Sequence, residues 1–285
     1  MSTTGPSRPG MNGPGFQQDA KDANPYFALT DEFNQDRIRT ILTSGQACVY
    51  YRLAFQSKDG DWLMNLDQGD MDHVLSVLSS HGARFRVGSA PLSVKWHDGG
   101  WSSHLEFSRG SERLRTDFVG RPPRIADKRL MAMWREIHRA AAPVTDILDL
   151  IQIKKTQREK DWPIIGSLSA RLQDPKDVLL HSTSPTRLLA FAADHPELLE
   201  ELARQRPLLL ATTSGSADVV RREIMTERMA AMDADRHRMR IYAHAMRDWQ
   251  QAWKAFVPTV TAMPTLEANQ FLEEQAHGIL PTHPQ

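Results

Sequence analysis

With one cysteine in 285 residues, Cys48 has no partner in its own chain, so a disulfide framework is excluded. A lone, unpaired thiol suits a reducing compartment, and cytoplasm is the expected location. Charge of one sign is not in excess either. The 35 basic residues match the 35 acidic ones, so no bulk field advertises a nucleic-acid or membrane partner. RNA binding would have to rest on a local basic patch. No apolar run approaches the roughly 18 residues of a membrane span, and the N-terminus has no signal-peptide core. The histidines are scattered without HExxH or Cys/His ligand spacing, which argues against zinc. Walker A and GxGxxG loops are missing. Ser214-Gly215-Ser216 lacks the flanks of a nucleophile elbow.

What remains is one stretch, Leu42 to Asp67. It reads as a turn at Ser44-Gly45-Gln46, a short apolar strand Ala47–Tyr51 holding Cys48 as a core residue, and a polar loop. The loop delivers Asp59 and Asp61 to a second apolar run, Trp62–Leu66. Residues i and i+2 of a strand share a face, so the two carboxylates project together. Two adjacent carboxylates repel and raise one pKa unless a cation lies between them. Magnesium or manganese, which favour oxygen ligands, would resolve the conflict.

The rest of the chain frames this pair. Residues 1–25, rich in Gly, Pro, Ser and Gln, read as a disordered tail. Ala28–Thr43 and Met71–His81 read as helices, the second ended by Gly82. Arg84–Val87 and Leu92–Trp96 are strand candidates, with Asp98-Gly99-Gly100 as a hairpin turn. A second hairpin, His104–Ser108 and Leu114–Val119, turns at Arg109-Gly110-Ser111-Glu112. Asp117 on its last strand is either a third acidic ligand or a solvated residue paired with Arg113 and Arg115; Glu106 is its competitor. Arg121-Pro122-Pro123 closes a core spanning 26–125.

Beyond the core the pattern is helical, as an extension over 126–180 and a C-terminal region over 181–285. Asp146–Asp161 reads as one helix with Lys154, Arg158 and Asp161 on one face, either solvated or in contact with phosphates. Ser216–Phe256 contains no Gly or Pro and reads as one long helix or a helix pair. Its methionines and aromatics suit a core or a partner helix.

A small-residue turn, a spacer of about ten residues, Asp-x-Asp and a later strand aspartate resemble the nucleotidyltransferases related to DNA polymerase beta. The basic segment Ile153–Trp162 resembles one found in toxin-type and uncharacterised bacterial members. The resemblance implies an α+β fold, a small mixed sheet flanked by helices. It implies Asp59, Asp61 and Asp117 as metal ligands for Mg2+ or Mn2+. It also implies Ser44, Gly45 and Gln46, with Lys154 or Lys155 and Arg158, as nucleotide-binding residues. The implied reaction moves a nucleoside monophosphate from NTP to an acceptor hydroxyl of RNA or tRNA, a protein or a small molecule. A toxin of a toxin–antitoxin pair is one form of it. The chain departs from the pattern at Gln46, where the family has Ser. That departure motivates an alternative, a catalytically silent fold acting as a binding or regulatory module. A helical scaffold with a merely solvated acidic loop is a third reading.

Overall fold

The computed structural model describes residues 15–284. Most of the expected tail therefore lies outside the described residues. Phe16 anchors the start of the described chain, stacking on Phe27 at 4.4 Å between ring centroids. The short helix α1 (Gln18–Ala23) follows, then α2 (Pro25–Phe33), capped by the Asn24 side chain with Pro25 in its first turn.

The expected helix over Ala28–Thr43 stops at Phe33. Its last four residues form strand β1 (Thr40–Thr43), buried at every position. A strand buried on both faces shows no alternation, so its sequence is silent about its period. Ser44-Gly45-Gln46 and the expected strand Ala47–Tyr51 are together a helix, α3 (Ser44–Tyr50). The β-prone Val49-Tyr50-Tyr51 run has no free edge to join there, because β1 takes the edge of β2 and Pro143 and Thr145 bond the outer edge of β1 at Leu42; tertiary context overrides propensity.

β2 (Asp59–Met64), α4 (Gln68–Ser80) and the two-residue β3 (Arg84–Phe85) follow. The strand expected at Leu92–Trp96 is instead a loop and the helix α5 (Val94–Asp98). There the backbone N–H and C=O of Leu92 bond the side-chain amide of Asn269 rather than a strand. The second expected hairpin forms as β4 (Ser102–Arg109) and β5 (Glu112–Val119). The strands make one mixed sheet in the order β1-β2-β5-β4-β3, with β2 and β5 parallel and the other pairs antiparallel.

Trp62 stacks on Phe118 at 5.4 Å on one face of the sheet, and Phe33 meets both edge-on. α2 and α4 cover this apolar face. The opposite face carries Asp59, Asp61 and Asp117. Its far end is sealed where Ile41 and Leu63 pack on Leu130, Met133 and Ile137 of the helical stretch that begins with α6 (Asp127–Glu136).

The rest is helical: α7 (Ile147–Lys154), α8 (Trp162–Ser169), α9 (Pro175–His181), α10 (Pro185–Asp194), α11 (Pro196–Ala203), α12 (Ala217–Ala245), α13 (Arg247–Ala262) and α14 (Thr265–Ala276). The long Gly/Pro-free segment is thus a helix pair parting at Met246. These helices divide between two cores. Leu179, Leu188, Leu202, Leu209 and Val220 pack together. Trp249, Trp253, Val260 and Leu272 join the core of the sheet.

Candidate active site

The parallel pairing of β2 with β5 places Asp61 directly opposite Asp117 and Asp59 opposite Arg115. Antiparallel pairing of β5 with β4 then places His104 opposite Asp117. Asp61, Asp117 and His104 therefore stand in a row across three adjacent strands, at the spacing of cross-strand neighbours. Asp59 lies two residues back along β2 on the same face. Gly60, between the two aspartates, points the other way; a Cβ there would meet the Trp62 ring at 2.3 Å and Tyr26 at 2.5 Å.

Each carboxylate has a different environment. Asp61 accepts no hydrogen bond among the described residues. Desolvation first, and then the charge of Asp117, push its pKa up to about 7, while Lys154 and Arg158 pull it down. Asp117 Oδ1 accepts from Arg86 Nη1 at 3.0 Å and from His104 Nδ1 at 2.8 Å. Asp59 Oδ1 lies 3.7 Å from Arg115 Nη1, too far for a hydrogen bond, and is buried without a partner. Thr43 Oγ1, across from Asp61 on β1, is likewise buried and unpartnered. Orphaned buried acceptors of this kind call for an explanation, and a bound cation is one. The donors are all hard oxygens, which suits magnesium or manganese. Among the described residues, however, no three Asp, Glu, His or Cys side chains already converge on one point. The hold of Arg86 and His104 on Asp117 is a physical reason why.

Two cavities meet at this row. One, of about 390 Å³, is polar and carries both signs of charge, with Lys58, Lys154 and Lys160 facing Asp59 and Asp161. The other, of about 470 Å³, is walled by Val119, Ile153, Met239, Tyr242 and Met246. They share Ser44, Asp61, Asp117 and Arg158. Ser44, at their junction, has a left-handed backbone with φ +53°. A non-glycine residue in that region stores about 1–2 kcal/mol of strain, and such residues cluster at functional sites. Gly45 is required by a close approach: a Cβ would lie 2.1 Å from Ser57 Oγ.

Gln46, where the family pattern has Ser, is spent on structure. Its side chain is buried, with Oε1 accepting from Asn24 Nδ2 at 2.9 Å and Nε2 donating to the Ser57 carbonyl at 3.1 Å. It braces the loop that carries Asp59 and does not face a cavity. The two lysines separate as well. Lys154 lines the polar cavity, its Nζ 3.4 Å from buried Asp161 Oδ1. Lys155 lies away from it, its pKa lowered by burial and countered by Glu227.

The helix expected to run through Asp161 ends at Lys154. Asp161 folds the following turn back on itself, because its carboxylate takes Lys154, the Thr156 hydroxyl at 2.6 Å and Arg158 Nε at 2.9 Å. Lys154, Arg158 and Asp161 do come together, through a turn instead of a helix face. A buried Asp235 of α12 fixes the same turn, accepting from Gln157 N at 3.0 Å and from Arg124 at 2.7 Å. Glu106, the competitor to Asp117, shares the face but is bound by Arg113 and lines neither cavity.

His104, Ser102 and Arg86 were not singled out from sequence. His104 had a signal: counting outward from the Arg109–Glu112 turn pairs it with Asp117. Arg86 had none, since it comes from the loop after β3.

No family of known proteins and no curated protein matches the chain. Among solved structures it is similar to JHP933 from Helicobacter pylori, at 11% identity and a TM-score of 0.37, over 83% of this chain and 100% of that one. It is similar also to a Helicobacter pylori protein described as a candidate nucleotidyltransferase, at 11% identity and a TM-score of 0.35, over 78% and 98%. Likeness at this level leaves the reading of the site to its own geometry.

Proposed function

We propose that the chain is a metal-dependent nucleotidyltransferase that moves a nucleoside monophosphate from NTP to an acceptor hydroxyl. The observation that carries this reading is the acidic row lining a polar cavity that also carries Lys58, Lys154, Arg158 and Lys160. The pKa of Asp61 is raised by burial and then by Asp117, Asp59 Oδ1 has no hydrogen-bond partner, and Lys154 and Arg158 flank them. Mg2+ or Mn2+, when bound, would stabilise the attacking and leaving oxygens. Asp59 and Asp61 would hold it, with Asp117 contributing through its free oxygen. Arg158 and Lys154 would neutralise the phosphates, oriented by Asp161. The strained turn at Ser44–Gly45 would present backbone N–H groups to the same phosphates. The apolar second cavity would take the acceptor or the base, leaving RNA, protein and small-molecule acceptors open to screening.

Two observations favour a second reading, a binding module that keeps the fold without turnover. Gln46 is locked into the structure where the family has a hydroxyl, and Asp117 is held by Arg86 and His104. One experiment decides. NTP binding is measured by the purified protein with and without Mg2+ or Mn2+, alongside Asp59→Ala/Asp61→Ala. Metal-dependent binding lost in the double variant, followed by pyrophosphate release with an acceptor, supports the enzyme. Binding without pyrophosphate release under any acceptor supports the module. No NTP binding in any metal sinks the enzyme and leaves a module whose retained fold binds a partner instead of a nucleotide.

A further inference from the structure

We propose that Ser102 is an acceptor within the chain itself, taking a nucleoside monophosphate from NTP in a self-nucleotidylation. The inference rests on the reading above and goes beyond it by naming an acceptor. Ser102 Oγ lies 3.0 Å from His104 Nε2, and His104 Nδ1 lies 2.8 Å from Asp117 Oδ1. A carboxylate can only accept, so Nδ1 carries the proton and Nε2 is left to accept the one on Ser102. A hydroxyl, an imidazole and a carboxylate in this order form the arrangement that activates serine for nucleophilic attack.

The sheet builds the arrangement. Ser102 and His104 are two residues apart on β4 and share a face, and the register sets His104 beside Asp117, itself beside Asp61. Ser102, His104, Asp117 and Asp61 all line the same cavity. Arg86 bonds the same carboxylate oxygen as His104 and fixes its direction. The neighbouring Ser103 offers an internal contrast. It faces the other way, fully buried and 2.8 Å from the Nε2 of His97.

The step balances without a further reactant. Ser102 Oγ attacks the α-phosphorus of NTP, forming an O–P bond while the bond from that phosphorus to the bridging oxygen breaks. Pyrophosphate leaves with the electron pair. The serine proton passes to His104 Nε2, and Asp117 stabilises the resulting imidazolium. The product is a phosphodiester joining Ser102 to a nucleoside.

The test incubates the full chain with NTP labelled in its α-phosphate and Mg2+ or Mn2+, then maps the label by peptide mass analysis. Expected is one nucleoside monophosphate on Ser102, at least about tenfold reduced in Ser102→Ala and in Asp61→Ala, and retained in part by Ser102→Thr. Mapping on the unaltered chain keeps the result independent of how the variants fold. Metal-dependent NTP binding with no adduct, or an adduct on Ser103 or elsewhere, overturns the inference and leaves the earlier reading intact. Absence of metal-dependent NTP binding removes both.

Discussion

Replacing Asp61 by asparagine should stabilise the metal-free protein above neutral pH while abolishing metal-dependent nucleotide binding. The side chain keeps its size, loses its charge and surrenders no hydrogen bond found among the described residues. The sign follows from linkage. The pKa of Asp61 rises from 3.8 to about 7 on folding, so the folded state holds that proton more tightly than the unfolded state. Wild-type stability therefore falls as pH rises from about 4 to 7 and stays low above. A shift of about three units at roughly 1.4 kcal/mol each sets a ceiling of about 4 kcal/mol. Relaxation around Arg158 and water entry reduce it, and we expect about 2–4 kcal/mol at pH 8 and nothing below pH 4. Urea unfolding in EDTA, for both proteins between pH 4 and 8, reads the difference directly. A gap that does not change with pH, or a less stable variant at pH 8, would refute the electrostatic account of the row. Added magnesium should then stabilise the wild type more at pH 8 than at pH 5, and the variant at neither.

Arg158→Ala should weaken NTP binding about tenfold, the cost of a charge-assisted phosphate contact, whereas Lys155→Ala should change it less than about twofold; calorimetry distinguishes them. Gly45→Ala should cost about 1–3 kcal/mol through its clash with Ser57, and adding Ser57→Gly should recover most of that in thermal melts. Trp253→Ala should cost about 3–5 kcal/mol, because the ring is buried and its Nε1 donates to the Ser89 carbonyl at 3.2 Å. A loss below 1 kcal/mol would show that α13 is not part of the sheet's core. Gln46→Ser should destabilise by about 1–3 kcal/mol and gain no activity, since both bonds to Asn24 and Ser57 are lost.

The sequence was most legible where period and turn chemistry agreed. Asp59 and Asp61 share a face because a strand leaves no other choice, and the Arg109–Glu112 turn fixed the β4–β5 hairpin that carries Asp117. It was least legible at β1 and α3. Thr40–Thr43 is buried on both faces and so carries no alternation, and Val49-Tyr50-Tyr51 is β-prone in a place without a free edge. Lys154, Arg158 and Asp161 were recognisable as a set but not as a turn. What bends the chain there is one buried carboxylate, Asp161, accepting from Lys154, Thr156 and Arg158 at once, which spacing alone does not encode. The second cavity was invisible, because its wall comes from Tyr242 and Met246, more than 120 residues from Asp117 in the numbering.

The way α13 and the residues after α14 close over the sheet governs the order in which the chain is able to fold. Trp249 and Trp253 bond the Ser89 carbonyl across 160 and 164 residues. Trp96 and Trp101 donate to the carbonyls of Leu280 and Pro281 across 184 and 180. During synthesis the acidic row and its strands emerge from the ribosome long before these partners do. For that interval Trp96, Trp101 and the part of the sheet's core that Trp249 and Trp253 later cover stay unsealed, exposed to chaperones and to neighbouring chains. Contacts of such separation also slow refolding of the finished chain. The order of synthesis thus delays the finished site until the chain past Pro281 is made, so a nascent chain would carry the carboxylates without the cavity that uses them.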